Sequence, residues 1–347
     1  QFRVSDRNSS GVSFSGTNVC PTVAVLCEYD ALPDIGHACG HNLIAECSVA
    51  AGIAIKEALC KYSTLPGRVV VLGTPAEENS GGKELLIRKG AFKDVHVAMM
   101  AHPGKRTGLK YAFTATLQLT VRFFGRTAHA GSSPWDGVNA GDAAVIAYMN
   151  ISLLRQQLKP TWRVSGVVIR AGKYPNIIPE DSELKYHLRA PNLDELEILR
   201  IKVESCFHSA GDATGCSVQI EKGITYKHML NNITLVQVYQ EYAEQMGMCF
   251  EDPDPGLLLA TGASTDAGNV SHTVPCIHPT FCLNSVGRNH SRDFQQAAGA
   301  DEAQPLTRTV AKALALTAIR VMRDTQLLEE ARAELHNSGD RVVNSAV

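Results

Sequence analysis

Four separated segments of the chain offer side chains that bind metal ions or move protons. They are Glu28-Tyr29-Asp30-Ala31-Leu32-Pro33, His37-Ala38-Cys39-Gly40-His41, Gly73-Thr74-Pro75-Ala76-Glu77-Glu78 and His102-Pro103-Gly104. Borderline divalent ions such as Zn²⁺ favour imidazole, thiolate and carboxylate, and these segments supply all three. The Glu77-Glu78 doublet says most about mechanism. Adjacent residues leaving a strand point in different directions, so one carboxylate can bind metal while its neighbour faces the attacking water. A metal lowers the pKa of such a water towards about 7, and a nearby glutamate can take its proton and hand it to a leaving amine. The chemistry indicated is metal-dependent cleavage of an amide.

Taken one at a time, each residue has a plainer reading. A lone cysteine such as Cys39 is more often a buried thiol than a ligand. Glu77-Glu78 would serve as a solvated loop or as a helix N-terminus, where negative charge is favoured. His102 before proline reads equally as an ordinary strand-end histidine, and Asp30 as a turn cap. The Cys-x-His unit flanked by Gly36 and Gly40 favours a ligand pair. What the plainer readings explain poorly is that the candidates follow three successive strands.

Those strands are apolar runs bounded by polar turns, expected at Thr22–Cys27, Arg68–Leu72 and Val95–Ala101. Apolar residues at helical spacing predict a helix over Leu43–Ala58. Gly81 and Gly82 precede a second helix, Lys83–Lys89, with Gly90 as its stop. This alternation predicts a parallel sheet, at whose carboxyl edge ligand sites collect. From Ala112 the pattern changes: strands at Thr114–Phe124, Trp162–Arg170, Glu183–Arg189 and Ser217–Glu221, with helices at Asn139–Leu158 and Leu193–Ala210. That order, βαββαβ, is the ferredoxin-like arrangement. A helix over Thr234–Met246, a Gly-rich loop at Gly262–Gly268 and a final helix over Gln304–Val321 return to α/β character. The expected fold is an α/β catalytic domain, residues 1–111 and 229–347, interrupted by an inserted α+β domain, 112–228. The opening stretch to Cys20, rich in Ser, Gly and Asn, is expected to be irregular.

Composition limits the alternatives. A chain of 347 residues, 44% hydrophobic and 20% charged, buries a large core without disulfide or metal staples. A net charge of -2 and a pI near 6.7 argue against a nucleic-acid partner, which would need a basic face. No apolar run approaches a membrane span, and the first fifteen residues hold no signal-peptide core. Ten cysteines without framework spacing read as reduced thiols of a cytoplasmic protein.

The segments resemble the aminoacylase and carboxypeptidase class of two-metal peptidases, in its amidohydrolase branch. The likeness runs from about Val23 to Val321. Besides the four segments it includes Lys159-Pro160-Thr161-Trp162-Arg163-Val164, Pro175-Asn176-Ile177-Ile178-Pro179 and Ser264-Thr265-Asp266-Ala267-Gly268-Asn269-Val270-Ser271. It implies a two-metal exopeptidase-type catalytic domain with an inserted lid and dimerisation domain, and two divalent ions, Zn or Mn. Cys39 would be shared between the metals, His41 and His102 completing one and Glu78 with His290 the other. His272 and His278 are rivals for the place of His290. Glu77 would be the general base and Asp30 a supporting carboxylate.

In the inserted domain, the resemblance implies that His129, in Gly125-Arg126-Thr127-Ala128-His129-Ala130, reaches a neighbouring active site of a homodimer to stabilise the oxyanion. Asn176 and Arg189 would hold the substrate, Arg189 by clamping a carboxylate, and Asp266 and Asn269 would contact a substrate amine or amide. The resemblance alone implies the substrate, a β-alanyl dipeptide with a basic C-terminal residue such as β-alanyl-lysine or β-alanyl-ornithine. The rivals are an N-acyl or aminobenzoyl amino-acid amidohydrolase and a catalytically silent relative that binds through the lid. Family members usually carry a helix and a strand ahead of the position of Val23. Here a short Ser/Gly-rich segment stands there, which bears on stability more than on the ligands.

Overall fold

The computed structural model describes residues 2–3, 20–251 and 262–344, with side chains for 20–251 and 262–338. The expectation of an irregular opening segment falls mostly on residues 4–19, outside those described. By internal contacts the chain divides into two units, one of residues 1–112, 229–258 and 265–347, the other of 113–228 and 259–264.

In chain order the first unit begins with β1 (Phe2–Arg3), β2 (Thr22–Glu28), α1 (His41–Lys61), β3 (Arg68–Thr74), α2 (Glu77–Ser80), α3 (Gly82–Arg88), β4 (Val97–Met99) and β5 (His102–Gly104). The second unit supplies β6 (Ala115–Phe124), β7 (Ala128–His129), α4 (Ala140–Leu154), β8 (Arg163–Arg170), β9 (Ile177–Ile178), β10 (Asp181–Ala190), α5 (Leu193–Thr214) and β11 (Ser217–Lys222). The chain then returns with α6 (Ile233–Gln245), α7 (Ala267–Ser271), β12 (Cys276–Ile277), β13 (Thr280–Cys282), α8 (Arg292–Ala298), α9 (Gln304–Arg323) and α10 (Thr325–Asn344).

The first unit is built on a sheet of order β1-β3-β2-β4-β12. Its β2, β3, β4 and β12 are parallel, and β1 joins antiparallel at the β3 edge. Every residue of β2 is buried, as a strand with neighbours on both sides and helices over its faces requires. Val23 and Val25 share a core with Leu43, Cys47, Ala51 and Ile55 of α1 and Val310, Leu314 and Ala318 of α9. Part of the expected Gly-rich loop is instead the helix α7, and a further helix, α10, follows α9 after Asp324.

The second unit is a four-stranded antiparallel sheet of order β11-β6-β10-β8. Alternation along β6 sends Leu117, Leu119, Val121 and Phe123 into a core shared with Ala143 and Ala147 of α4 and Leu199, Val203 and Phe207 of α5. Asn139 caps α4 by accepting from the backbone N–H groups of Gly141 and Asp142. Residues 262–264 belong here because the Gly262 carbonyl and the Ser264 hydroxyl accept from Arg189 Nη1, at 2.6 and 3.0 Å.

Candidate metal centre

Parallel pairing of β2 with β3 and β4 delivers three chain exits to one edge of the sheet. After β2 the chain turns through Asp30 to Cys39 and Gly40, and His41 opens α1. Gly40 has φ 81°, and a Cβ there would stand 2.4 Å from Pro103 Cγ. Only glycine lets Cys39 and His41 pack this closely against the segment that carries His102. After β3, Ala76 adopts φ 62° and turns Glu77 and Glu78 into the first turn of α2. His290 has φ 70°, and its N–H donates to the Ala38 carbonyl at 2.9 Å. Asp34, Ala76 and His290 are the non-glycine residues with positive φ among those described. Two of the three carry or aim candidate ligands, as expected of strain held where function needs it. Asn289, which nothing in the sequence marked beyond its place beside His290, donates from Nδ2 to the carbonyls of Pro103 and Cys39. It ties the late loop to the early segments.

Each of two groups of three residues brings one ligand atom per residue within 4.8 Å of one another. One is Cys39, His41 and His102; the other is Cys39, Glu78 and His290. Cys39 belongs to both. A third group, His41, Glu77 and Glu78, meets the same limit. His278 is in none of them; it stacks on His102 with ring centroids 5.6 Å apart. His272 caps the C-terminus of α7.

Hydrogen bonds set the tautomers. His41 Nδ1 lies 2.9 Å from the Asp30 carbonyl and 3.2 Å from Asp30 Oδ1, both acceptors, so Nδ1 carries the proton. His102 Nδ1 likewise donates to the Pro103 carbonyl at 2.7 Å, leaving Nε2 facing Cys39 Sγ at 3.6 Å. A carboxylate or carbonyl behind each ring is the arrangement that orients a metal-binding histidine. Asp30 Oδ2 also accepts from the Glu78 backbone N–H at 3.1 Å, so one carboxylate braces two of the segments.

The residues suit a cation. His41 Nε2 is buried without a hydrogen-bond partner and stands 3.8 Å from Glu78 Oε1, which His290 Nε2 approaches at 3.3 Å. Against the desolvation of burial, the hydrogen bond to Asp30 and the charges of Glu28 and Glu77 raise His41 to about 9, the mark of surroundings that favour positive charge. Burial, then the charges of Glu78 and Glu77, push the Cys39 thiol well above its usual range. A positive ion beside it would reverse that preference. Glu77 is buried and is pushed well above the usual carboxylate range by desolvation and by the charges of Glu28 and Asp266, which favours proton uptake.

The remaining candidates have other surroundings. Asp266 is fully buried, and both its oxygens accept from Lys83, one from the backbone N–H at 2.8 Å and one from Nζ at 2.6 Å. Asn269 is also buried, and its Nδ2 donates to Glu84 at 2.7 Å. Both residues lie in the packing between α3 and α7. Burial lowers the pKa of Arg189, whose Nη1 is held by Gly262 and Ser264. In the second unit β7 pairs with β9, placing His129 opposite Ile177, the neighbour of Asn176. His129 Nδ1 accepts from the N–H groups of Gly131 and Ser132, both at 3.1 Å. Its proton is therefore on Nε2, an exposed donor.

Residues 25–316 match the model of peptidase family M20/M25/M40. The chain belongs to that family and is a hydrolytic enzyme. It is 49% identical over 314 residues to a mouse Xaa-Arg dipeptidase, covering 90% of this chain and 73% of the relative. The human Xaa-Arg dipeptidase is 48% identical, over 89% of this chain and 71% of its own length. Among solved structures, a dinuclear metal binding peptidase from Bacillus subtilis superposes with a TM-score of 0.61 at 17% identity, covering 89% of this chain and 84% of the other. An aminobenzoyl-glutamate utilization protein from Klebsiella pneumoniae gives 0.63 at 21% identity, over 86% and 71%. At such identities these two speak for the fold alone.

Proposed function

We propose that the chain is a metal-dependent dipeptidase acting on dipeptides with a basic C-terminal residue, β-alanyl-lysine and β-alanyl-ornithine among them. The observation that carries the metal chemistry is the pair of three-residue groups joined at Cys39 with Glu77 beside them. The similarity to Xaa-Arg dipeptidases supports the basic residue. Cys39, His41 and His102 would hold one divalent ion, and Cys39, Glu78 and His290 the other, Zn or Mn. When bound, such ions polarise the amide carbonyl and acidify the attacking water. Glu77 accepts the proton from that water and returns it to the leaving amine. Asp30 holds the His41 ring in place. His129 donates from Nε2 to the developing oxyanion, and Asn176 and Arg189 hold the substrate.

The same reading makes His129 act in trans, across a homodimer. Supporting it are exposed apolar side chains on the edge strand β8 (Val167, Val168, Ile169) and on one face of α4 (Val145, Tyr148, Met149, Leu153). Ten unpaired cysteines support a reducing, cytoplasmic setting, and among the described residues no helix is long and apolar enough to cross a membrane.

The test is a panel of dipeptides and acyl-amino acids assayed with Zn²⁺ or Mn²⁺ after chelation. Turnover should need metal, and kcat/KM should favour a basic over an acidic C-terminal residue by at least ~10²-fold. A preference for aminobenzoyl-glutamate or for N-acyl amino acids would overturn the substrate. The shared-ligand arrangement has its own signature. Cys39→Ala should deplete both bound ions, His102→Ala and His290→Ala one each, with affinity losses of at least ~10²-fold for the depleted ion. Metal analysis of dialysed protein reads this directly. Full metal content in Cys39→Ala would return Cys39 to the core thiols.

A further inference from the structure

Glu28 ends the central strand β2, two residues before Asp30, yet the mechanism above gives it no task. Its carboxylate is fully buried. Oε1 accepts a hydrogen bond from Lys83 Nζ, which is fully buried too and donates also to Asp266 Oδ1. Asp266 Oδ2 takes the Lys83 backbone N–H, so Lys83 is gripped at both its main chain and its tip. The second oxygen of Glu28, Oε2, is buried without a hydrogen-bond donor and stands 3.5 Å from His41 Nε2. A purely structural buried ion pair needs its remaining lone pairs satisfied. Here two carboxylates share one ammonium, and the oxygen left over faces the nitrogen that would bind metal.

We infer that Glu28 is a further member of the metal centre, and that Lys83 and Asp266 are the residues that position it. Anchored through Oε1, Glu28 supplies a fixed negative charge beside His41. That charge stands beside His41, a member of the group of Cys39, His41 and His102 and not of the group of Cys39, Glu78 and His290, so a cation in the first group should gain more from it. The inference rests on the metal binding proposed above. It differs from a structural brace in one respect: removing the charge leaves Lys83 and Asp266 as a neutral pair, so the metal-free fold should lose little while one of two metal equivalents weakens.

Glu28→Gln keeps the size and an acceptor for Lys83 but removes the charge. Co²⁺ is titrated into metal-free protein, and thiolate-to-cobalt absorption reports Cys39. The variant is made in two backgrounds, His290→Ala, which isolates the group with His41, and His102→Ala, which isolates the other. Co²⁺ affinity should fall at least ~10-fold in the first background and clearly less in the second, because the charge adjoins a ligand of the first group alone. The melting temperature of the metal-free protein should not drop. Equal losses in both backgrounds, or none in either, would overturn the role. If Glu28→Gln fails to fold, Glu28→Asp is read instead. It keeps the charge but draws the carboxylate back from His41 by one methylene, so a loss of at least ~3-fold, larger in the His290→Ala background, is expected, and an equal loss in both refutes the inference. Wild-type protein that takes up no Co²⁺ removes the proposed metal function itself, whereas unselective variants remove only the part assigned to Glu28.

Discussion

Glu77→Gln should lower kcat at least ~10²-fold while leaving folding and metal content almost unchanged. The substitution keeps the shape of a buried side chain at the start of α2 and removes its ability to accept a proton. Glu77 lies outside both three-residue groups that contain Cys39, so neither should lose an ion. Its surroundings add to the argument, because desolvation and the neighbouring charges of Glu28 and Asp266 make the carboxyl a better proton acceptor than one in water. The neutral amide also removes like-charge repulsion, so the melting temperature should hold or rise. Rate and metal content are read on the same sample. Near-normal kcat would end the assignment of Glu77 as base, and a parallel loss of metal would recast it as a ligand.

His129→Ala should be nearly inactive too, with a loss of ~10²–10³-fold if the residue supplies one oxyanion donor. The hydrogen bonds that fix Nδ1 as an acceptor leave Nε2–H exposed, so the side chain is prepared to donate. Acting across a homodimer, each site would combine Glu77 of one subunit with His129 of the other. Equal amounts of Glu77→Gln and His129→Ala, refolded together, should pair at random into about half heterodimers. In each heterodimer one site lacks both groups and the other keeps both. Activity should therefore recover to about a quarter of wild type on symmetric mixing. His129→Ala that stays largely active alone would make the residue a packing element of the β7–β9 ribbon. Two inactive, verified dimers that give no recovery would place His129 at its own subunit's site.

Sequence periodicity located the regular elements well, and the reasons are local. The all-buried run Thr22–Glu28, the alternation of β6 and the helical spacing of α1, α4 and α5 each carry their own signal within a dozen or two residues. Short pieces without such a signal escaped, β12 with two residues and β13 with three; the 20-residue α10, though periodic, went unread as well. At the site, residue type and spacing singled out Cys39, His41, Glu78 and His102, and the resemblance added His290; the fold gathers all five into the two groups. What stayed hidden depends on distant partners. Asp266 in a glycine-rich stretch looks exposed, because the lysine that binds it lies far back in the chain. Glu28 and Lys83 could have been noticed from one clue, a charged residue closing an otherwise apolar strand. That clue announces a buried charge without saying which cation answers it.

The topology also sets an order of assembly during synthesis. Cys39, His41 and His102 all emerge within the first third of the chain, whereas His290 follows only after the whole second unit has been made. At ~5–20 residues per second the intervening stretch of about 190 residues takes ~10–40 s. During that interval β4 lacks the parallel neighbour that β12 will later provide, and Pro103 and the Cys39 carbonyl lack Asn289. The nascent polypeptide thus carries a reduced thiol and two imidazoles on an unfinished sheet edge before the loop that closes over them exists. Any factor that delivers an ion, or shields that edge from sticking to another chain, has a defined window in which to act.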